Sequence, residues 1–506
     1  MDNQLRACRE SGMNRNLFEK AVYRKESELL FMGNPLIEAV PFLGDPLEYG
    51  PKLLVRMPYS EDERKLSRLE RLNKLQYIKQ LHVPSTIDTE IAMNIDRCLH
   101  WGYYGRNPMP MSVVQSAVEE AGIPFDDSLK KIYRSYKQPT YGFPVFGVSG
   151  VGKTCSVMNV LTNYPQVIVH TNYRNQPFLL NQLVWLKVDC PPDGTTKGLC
   201  HQILQEMDEV LGTTFSTQHP YNRISKDVML GDLSKAIRSC CLGLLVIDDV
   251  QVLCNTKDQV SKETLNFLLS LVNNADIPIV MIGAPKFISI IQSEFQQAKR
   301  VTGEGEVHME LLKKESGDWN RFMKGLWRYQ YTQKTVPLDE AMADAFYEET
   351  VGNQFLLAIL YKLVQDYAII NLQEAFTPET VHKVADYKLG LTKKQREDMK
   401  SGKDVELQEF EKLWNPPTLP PEVLVQSRKE PQTDFIQDLT SKLVSEQQLS
   451  VQEARTVARQ VRAALPVERD PNTLYLYALE LIRKSKNAAS AGSNVEANAG
   501  NPKDDG

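Results

Sequence analysis

The chain has 506 residues, a formal net charge of −5, a hydrophobic fraction of 42% and eight cysteines. That length suits two or three domains with sizeable cores, and no uncharged apolar run approaches the ~20 residues of a membrane span. The charge balance excludes a protein that coats nucleic acid through bulk charge, while leaving room for a local basic track. No cysteines form a C-x-x-C pair, and the adjacent Cys240 and Cys241 suit neither a disulfide nor a shared metal, so reduced thiols are expected. The opening MDNQLRACRESGMNR alternates charge and lacks an apolar core, so no secretion signal is read there and a cytoplasmic location is expected.

Residues 1–140 read as a helical and irregular arm for partner binding. Ser60 and Glu63 have capping-box spacing, and EDERKLSRLERLNKLQYIKQL follows. It sets Leu66, Leu69, Leu72, Leu75 and Ile78 on a drifting stripe, with Arg64, Lys65, Arg68, Arg71, Lys74 and Lys79 opposite. That basic face is either solvated or a surface for nucleic acid or a partner.

From 141 to 313 short apolar runs alternate with helical stretches. The runs are FPVFG, PQVIVHT, QLVWLKVDC, LGLLVIDDV and IPIVMIGAP; the helices include KTCSVMNVLTN, TTKGLCHQILQEMDEVLG and SKETLNFLLSLVNNA. Apolar strands alternating with helices predict an α/β domain whose parallel sheet is covered on both faces. The link between PQVIVHT and QLVWLKVDC is too short for a crossover, so these two are expected to form an antiparallel hairpin on the sheet edge. Residues 314–413 read as a helical lid, with Trp319, Phe322, Leu326 and Trp327 at core spacing. A proline-rich linker (414–432, around WNPPTLPPE), a further helical module (433–486) and a disordered tail (487–506) complete the reading.

The chemistry concentrates at FGVSGVGKTCSV. Gly147-x-x-x-x-Gly152-Lys153-Thr154 follows a strand and opens a helix, the setting in which backbone N–H groups converge on phosphate. Gly147, Val148, Ser149, Gly150, Val151, Gly152, Lys153, Thr154 and Cys155 are the expected nucleotide cradle. Lys153 would bridge the β- and γ-phosphates and Thr154 would offer its hydroxyl to Mg2+. About a hundred residues on, LLVIDDV ends a strand in two carboxylates, Asp248 for Mg2+ and Asp249 as the acid that orients water. No N-K-x-D guanine-reading motif follows, so ATP is preferred over GTP.

The order P-loop, hairpin, acidic strand, IVMIGAPK strand and helical lid resembles the AAA+ ATPases. GNPLIEAVP (33–41), WGYYGRNP (101–108), YPQVIVH, VWLKVDC, LGLLVIDDVQ and MIGAPK narrow the likeness to the TnsC family. Those proteins are ATPase regulators of heteromeric bacterial transposons, CRISPR-associated ones included. The resemblance covers roughly residues 30–400. It implies an ATP-dependent ring or filament on double-stranded target DNA, gripped through phosphates without sequence reading. It implies recruitment by a target selector of the TniQ or TnsD type. The implied downstream partners are the transposase and its endonuclease partner, contacted by the C-terminal module.

The same resemblance offers Arg300 as an arginine finger reaching a neighbour's γ-phosphate, Thr195, Thr196 and Lys197 as DNA-backbone contacts, and Arg174 as a further one. Three departures from the family pattern imply slow hydrolysis that acts as a timer. Asp249 stands where a glutamate is usual, Ala284 where a polar sensor is usual, and VGNQFLLAI lacks the arginine many lids supply. Two other readings fit the residues: an oligomerising signalling NTPase without a DNA role, and a helicase-loader-type ATPase.

Overall fold

In the computed structural model, the described residues are 18–135, 140–217, 226–255, most of 263–287, 303–389, 393–401, 432–447, 449–464 and 474–484. Eight strands are seen among them: β1 (Phe18–Lys20), β2 (Phe143–Gly147), β3 (Val167–Tyr173), β4 (Gln176–Leu183), β5 (Trp185–Asp189), β6 (Leu244–Asp248), β7 (Ile279–Gly283) and β8 (Val307–Met309). Five of them form one sheet in the order β5-β6-β7-β2-β8, with every pairing parallel. The expected α/β core is therefore present.

Period-2 alternation within the strands divides the core between the two faces of the sheet. Leu245 and Ile247 of β6 face Leu199, Ile203 and Met207 of helix Thr196–Leu211, together with Leu233 and Ile237 of helix Lys226–Ser239. Leu244 and Val246 join the opposite cluster, with Val157 and Val160 of helix Lys153–Leu161. That second cluster also takes in Leu36, Ile37 and Val40, and Ile91, Ile95 and Leu99 of helix Thr86–Tyr104. The described part of the expected N-terminal arm thus shares with the P-loop helix the cover of this face of the sheet.

The two phrases GNPLIEAVP and WGYYGRNP are stitched to each other and to the turn before β6. Asn34 donates from Nδ2 to the Tyr103 carbonyl (3.0 Å), and Asn107 donates to the Gly33 carbonyl (3.0 Å). Tyr103 Oη donates to the Cys241 carbonyl (3.0 Å), and Arg106 Nη1 to that of Leu242 (2.6 Å). Gly33 has φ +73°, and a Cβ there would lie 2.8 Å from Val114 Cα, so this close approach needs glycine.

The hairpin differs from expectation. β3 pairs antiparallel with β4, not with β5, around Arg174 and Asn175. Their φ values of 47° and 62° suit a two-residue type I′ turn. β1 adds in parallel to β3, giving a separate sheet of order β1-β3-β4. QLVWLKVDC is divided: Gln182 and Leu183 end β4, while Trp185 opens β5 alongside β6. β4, with sequence QPFLLNQL, lies largely open to solvent and buries only its last two residues, so it lacks the apolar run of a core strand.

Residues 60–80 also depart from the reading. The Ser60 side chain accepts from Asp62 N, and the capping box is formed instead by Ser67 and Glu70. Only Arg68–Lys74 is α-helical, between 3-10 turns at Glu61–Lys65 and Leu75–Gln80. Breaking the drifting stripe sends Leu75 and Ile78 into the lid core and leaves Leu69 exposed. Arg71, expected on the polar face, turns inward. It forks onto both Glu374 oxygens (2.6 and 2.8 Å) and donates to the Tyr331 carbonyl (2.9 Å).

The lid packs helices Gly317–Trp327, Glu340–Thr350, Gln354–Ile370 and Pro378–Lys388 around Trp319, Phe322, Leu326, Phe346, Leu357 and Leu360. Trp327 lies at its margin and donates from Nε1 to the Val336 carbonyl (2.8 Å). A second compact unit, Pro416–Gly506, separates from Met1–Asn415. Within it helices Gln432–Gln447 and Val451–Ala464 and helical residues 474–484 close on Leu439, Leu443, Ala454, Ala458, Val461 and Leu474. The expected linker (except residue 432), the tail 487–506, Arg300 and much of SKETLNFLLSLVNNA lie outside the described residues. Among the described residues no helix is long and apolar enough to cross a membrane.

The Arg71 pair is nearly buried, with side-chain exposures of 3% and 13%. Removing one partner of a buried ion pair strands the other, so Arg71→Ala is expected to lower unfolding free energy by about 3 kcal/mol in urea titration. The hydrogen bond from Arg71 holds the Glu374 carboxyl below the usual range. Its contribution is therefore full above the ordinary glutamate value of about 4.3 and fades as pH falls through the depressed folded-state value. A parent chain whose acid limb matches that of Arg71→Ala would contradict this.

Candidate nucleotide site

β2 stops at Gly147, where a Cβ would collide with the Met309 carbonyl of neighbouring β8. The chain then turns through Gly150 and Gly152, whose φ values of +83° and +94° only glycine adopts cheaply. Gly152 caps helix Lys153–Leu161 with no side-chain capping bond, so the N–H groups of the first turn stay available to an anion. Lys153 Nζ donates to the carbonyls of Gly147 (2.8 Å) and Val148 (3.1 Å), placing its charge at the mouth of the loop.

Parallel pairing ends β2, β6 and β7 along one edge of the sheet. There Thr154 Oγ1 donates to Asp248 Oδ2 at 2.9 Å, across 94 residues of chain. Asp248 is only 4% exposed. Burial pushes its carboxyl above the ordinary range, against the pull of the Thr154 hydroxyl and of Lys187. A hydroxyl and a carboxylate, both hard oxygen donors, fit Mg2+.

Asp249 follows with φ +56°, a left-handed conformation that aspartate tolerates better than most residues. Its N–H donates to Asp248 Oδ1 (2.9 Å). The structure therefore brings the P-loop, Thr154, Asp248 and Asp249 together. Cys155, one residue beyond, is exposed.

Three features went unread in the sequence. Lys187, whose Nζ lies 3.5 Å from Asp248 Oδ2 and also bonds Asp189, is the one charge inside the apolar run VWLKV. A lysine interrupting a buried strand was the available signal. Gln251 bonds Asp249. The start of lid helix Gln354–Ile370 docks on the loop itself. Asn353 Nδ2 donates to the Ser149 carbonyl (2.9 Å), and Phe355 N donates to that of Gly150 (3.0 Å). VGNQF carries no arginine, and it meets the P-loop through an asparagine and a backbone amide instead.

The other candidate residues sit on other elements. Thr195 caps helix Thr196–Leu211, accepting from Gly198 N (3.0 Å) and donating to Asp193 Oδ2 (2.9 Å). Thr196 Oγ1 is 3.3 Å from Thr264 Oγ1, and Lys197 is partly exposed. The first two hydroxyls thus have partners within the chain, and an acid already occupies this helix start. Arg174, on the hairpin turn, pairs with Glu120 at 2.6 Å.

Residues 142–291 match the family model described as an AAA domain. The chain carries an AAA-type P-loop ATPase domain. No curated protein matches the chain. Among solved structures, it is similar to the ORC1 protein of Aeropyrum pernix in complex with DNA, at 14% identity and a TM-score of 0.36, covering 76% of this chain and 86% of that one. Cdc6p of Pyrobaculum aerophilum gives 13% identity and 0.33 over 71% and 86%. The Thermotoga maritima RuvB Holliday junction branch migration motor gives 13% and 0.31 over 63% and 80%.

If Asp248 is kept for chemistry at the expense of burying charge, Asp248→Asn should leave the thermal midpoint at or above the parent's. Mg2+-dependent ATP hydrolysis should fall by on the order of a hundredfold or more. A lower midpoint with unchanged hydrolysis would contradict the assignment.

Proposed function

We propose that the chain is an ATP-dependent regulator of DNA transposition, similar in role to the TnsC family, in which slow hydrolysis times an assembled state. The observation that supports its nucleotide chemistry is the 2.9 Å contact between Thr154 and Asp248, beside Lys153 and a glycine loop. In this reading Lys153 binds the terminal phosphates of ATP and the loop amides hold their oxygens. Thr154 and Asp248 would hold Mg2+, which would supply positive charge against the phosphate oxygens. Asp249 orients the attacking water and accepts its proton as the bond between the γ-phosphorus and the bridging oxygen breaks.

Three features favour a timer over a motor. The Asp249 carboxylate is one methylene shorter than glutamate, Ala284 offers no polar side chain, and VGNQF no arginine. Hydrolysis by the isolated chain is therefore expected to be weak and to rise with DNA or a partner.

The DNA role rests on the resemblance carried by GNPLIEAVP, WGYYGRNP, LGLLVIDDVQ and MIGAPK. In the proposal, Lys197 and Arg174 supply charge to the phosphodiester backbone and Thr195 and Thr196 supply the helix start, with Arg174 leaving Glu120. A short track of this kind, repeated by each protomer of a ring or filament, grips DNA although the whole chain is acidic. Arg300 of one protomer would reach the neighbour's nucleotide. A target selector would recruit the assembly, and the C-terminal unit would engage the transposase and its endonuclease partner.

Filter binding of duplex DNA of arbitrary sequence tests this reading. Binding should require ATP or a non-hydrolysable analogue, fall steeply with salt, and be lost in Lys153→Ala. Nucleotide binding with no nucleotide-dependent DNA binding would overturn the DNA role and favour a signalling NTPase.

A further inference from the structure

The turn after β6 carries an amide, Gln251, that bridges the acid Asp249 and the tip of β7. Gln251 Nε2 donates to Asp249 Oδ1 at 2.8 Å, and Gln251 Oε1 accepts from the backbone N–H of Ala284 at 3.2 Å. Ala284 is the residue that follows β7, so one side chain spans the tips of two sheet strands. The orientation of the amide is fixed by its partners. A backbone N–H can only donate, so the oxygen must face Ala284, and the NH2 group must then face the carboxylate.

The surroundings are shaped to hold that side chain. A Cβ on Gly283 would lie 2.6 Å from Val250 Cγ2 and 3.2 Å from Gln251 Oε1, so the end of β7 leaves room for this turn only as glycine. Val250–Asn255 is a 3-10 turn, and Val252 N donates to the Asp249 carbonyl (3.0 Å). Asp249 keeps its left-handed backbone at the start of this turn, and its carboxylate meets the amide.

Ala284 has no polar atom beyond its backbone, so nothing on its own side chain can report the position of β7 to the acid. Gln251 makes that connection from the other strand. Its reach is specific: a glutamate could accept from Ala284 but could not donate to Asp249, and an alanine could do neither. We propose that Gln251 is a positioning residue for hydrolysis. Its amide holds the short Asp249 carboxylate against the tip of β7 and takes the place of a polar side chain at residue 284. The inference rests on the ATPase reading of the site and adds to it a residue that acts on the reaction through Asp249.

Steady-state hydrolysis of ATP with Mg2+ and duplex DNA tests it, alongside equilibrium binding of a fluorescent methylanthraniloyl-ATP. Gln251→Ala should lower kcat about tenfold while KM and the nucleotide Kd stay within about twofold, because the P-loop contacts do not pass through Gln251. Gln251→Glu should lose at least as much, since it sets a second carboxylate against the first. Adding Ala284→Asn to Gln251→Ala should return part of the lost kcat, a recovery that a purely structural role would not give. Unchanged kcat in both single variants, or a loss of kcat matched by loss of nucleotide affinity, would overturn the inference while leaving the ATPase reading intact. A parent chain that binds no nucleotide would overturn both.

Discussion

The hydrogen bond between Thr154 and Asp248 sets a demand on the rest of the chain. β2 and β6 are not neighbours; β7 lies between them, and the contact forms only if all three parallel strands end along one edge in fixed register. Parallel strands of this kind need apolar cover on both faces. Helices Thr196–Leu211 and Lys226–Ser239 supply one face, while the P-loop helix and residues that precede the domain in sequence supply the other. The N-terminal segment is thus part of what holds the carboxylate beneath the P-loop: Tyr103 and Arg106 fasten it to the turn before β6, while Asn34 and Asn107 tie its two phrases to each other.

What was legible in the sequence was local. The P-loop spacing, the acidic end of LLVIDDV and the buried runs of β2, β6 and β7 each declare themselves within a dozen residues, because glycine placement and apolar continuity are local constraints. What escaped depends on partners distant in sequence. β4 looks polar because it lies largely open, so its membership of the hairpin comes from pairing rather than composition. Arg71 has the same residue type and spacing as the lysines and arginines near it, and its burial follows from partners distant in sequence, Glu374 and the Tyr331 carbonyl. Lys187 and Gln251 likewise acquire meaning from what β6 and β7 bring beside them.

The lid is joined to the loop by two donors, Asn353 and the Phe355 amide, that reach P-loop carbonyls. Gly352 makes this possible: it has φ +77°, and a Cβ there would collide with the Leu312 backbone. Any shift of Ser149 or Gly150 on phosphate binding acts directly on the first turn of a seventeen-residue helix at the centre of the lid core. In the proposed timer, the short Asp249 acid and a lid bonded to the P-loop would hold one shape until hydrolysis ends it.

The most direct measurement is a double-mutant cycle on Thr154→Val and Asp248→Asn, reading the affinity of methylanthraniloyl-ATP with and without Mg2+. The account predicts that the two substitutions share one Mg2+-dependent loss, with a coupling of at least about 1 kcal/mol that disappears when Mg2+ is withheld. Additive losses, or a coupling indifferent to Mg2+, would mean that these two side chains do not form a common metal and phosphate site.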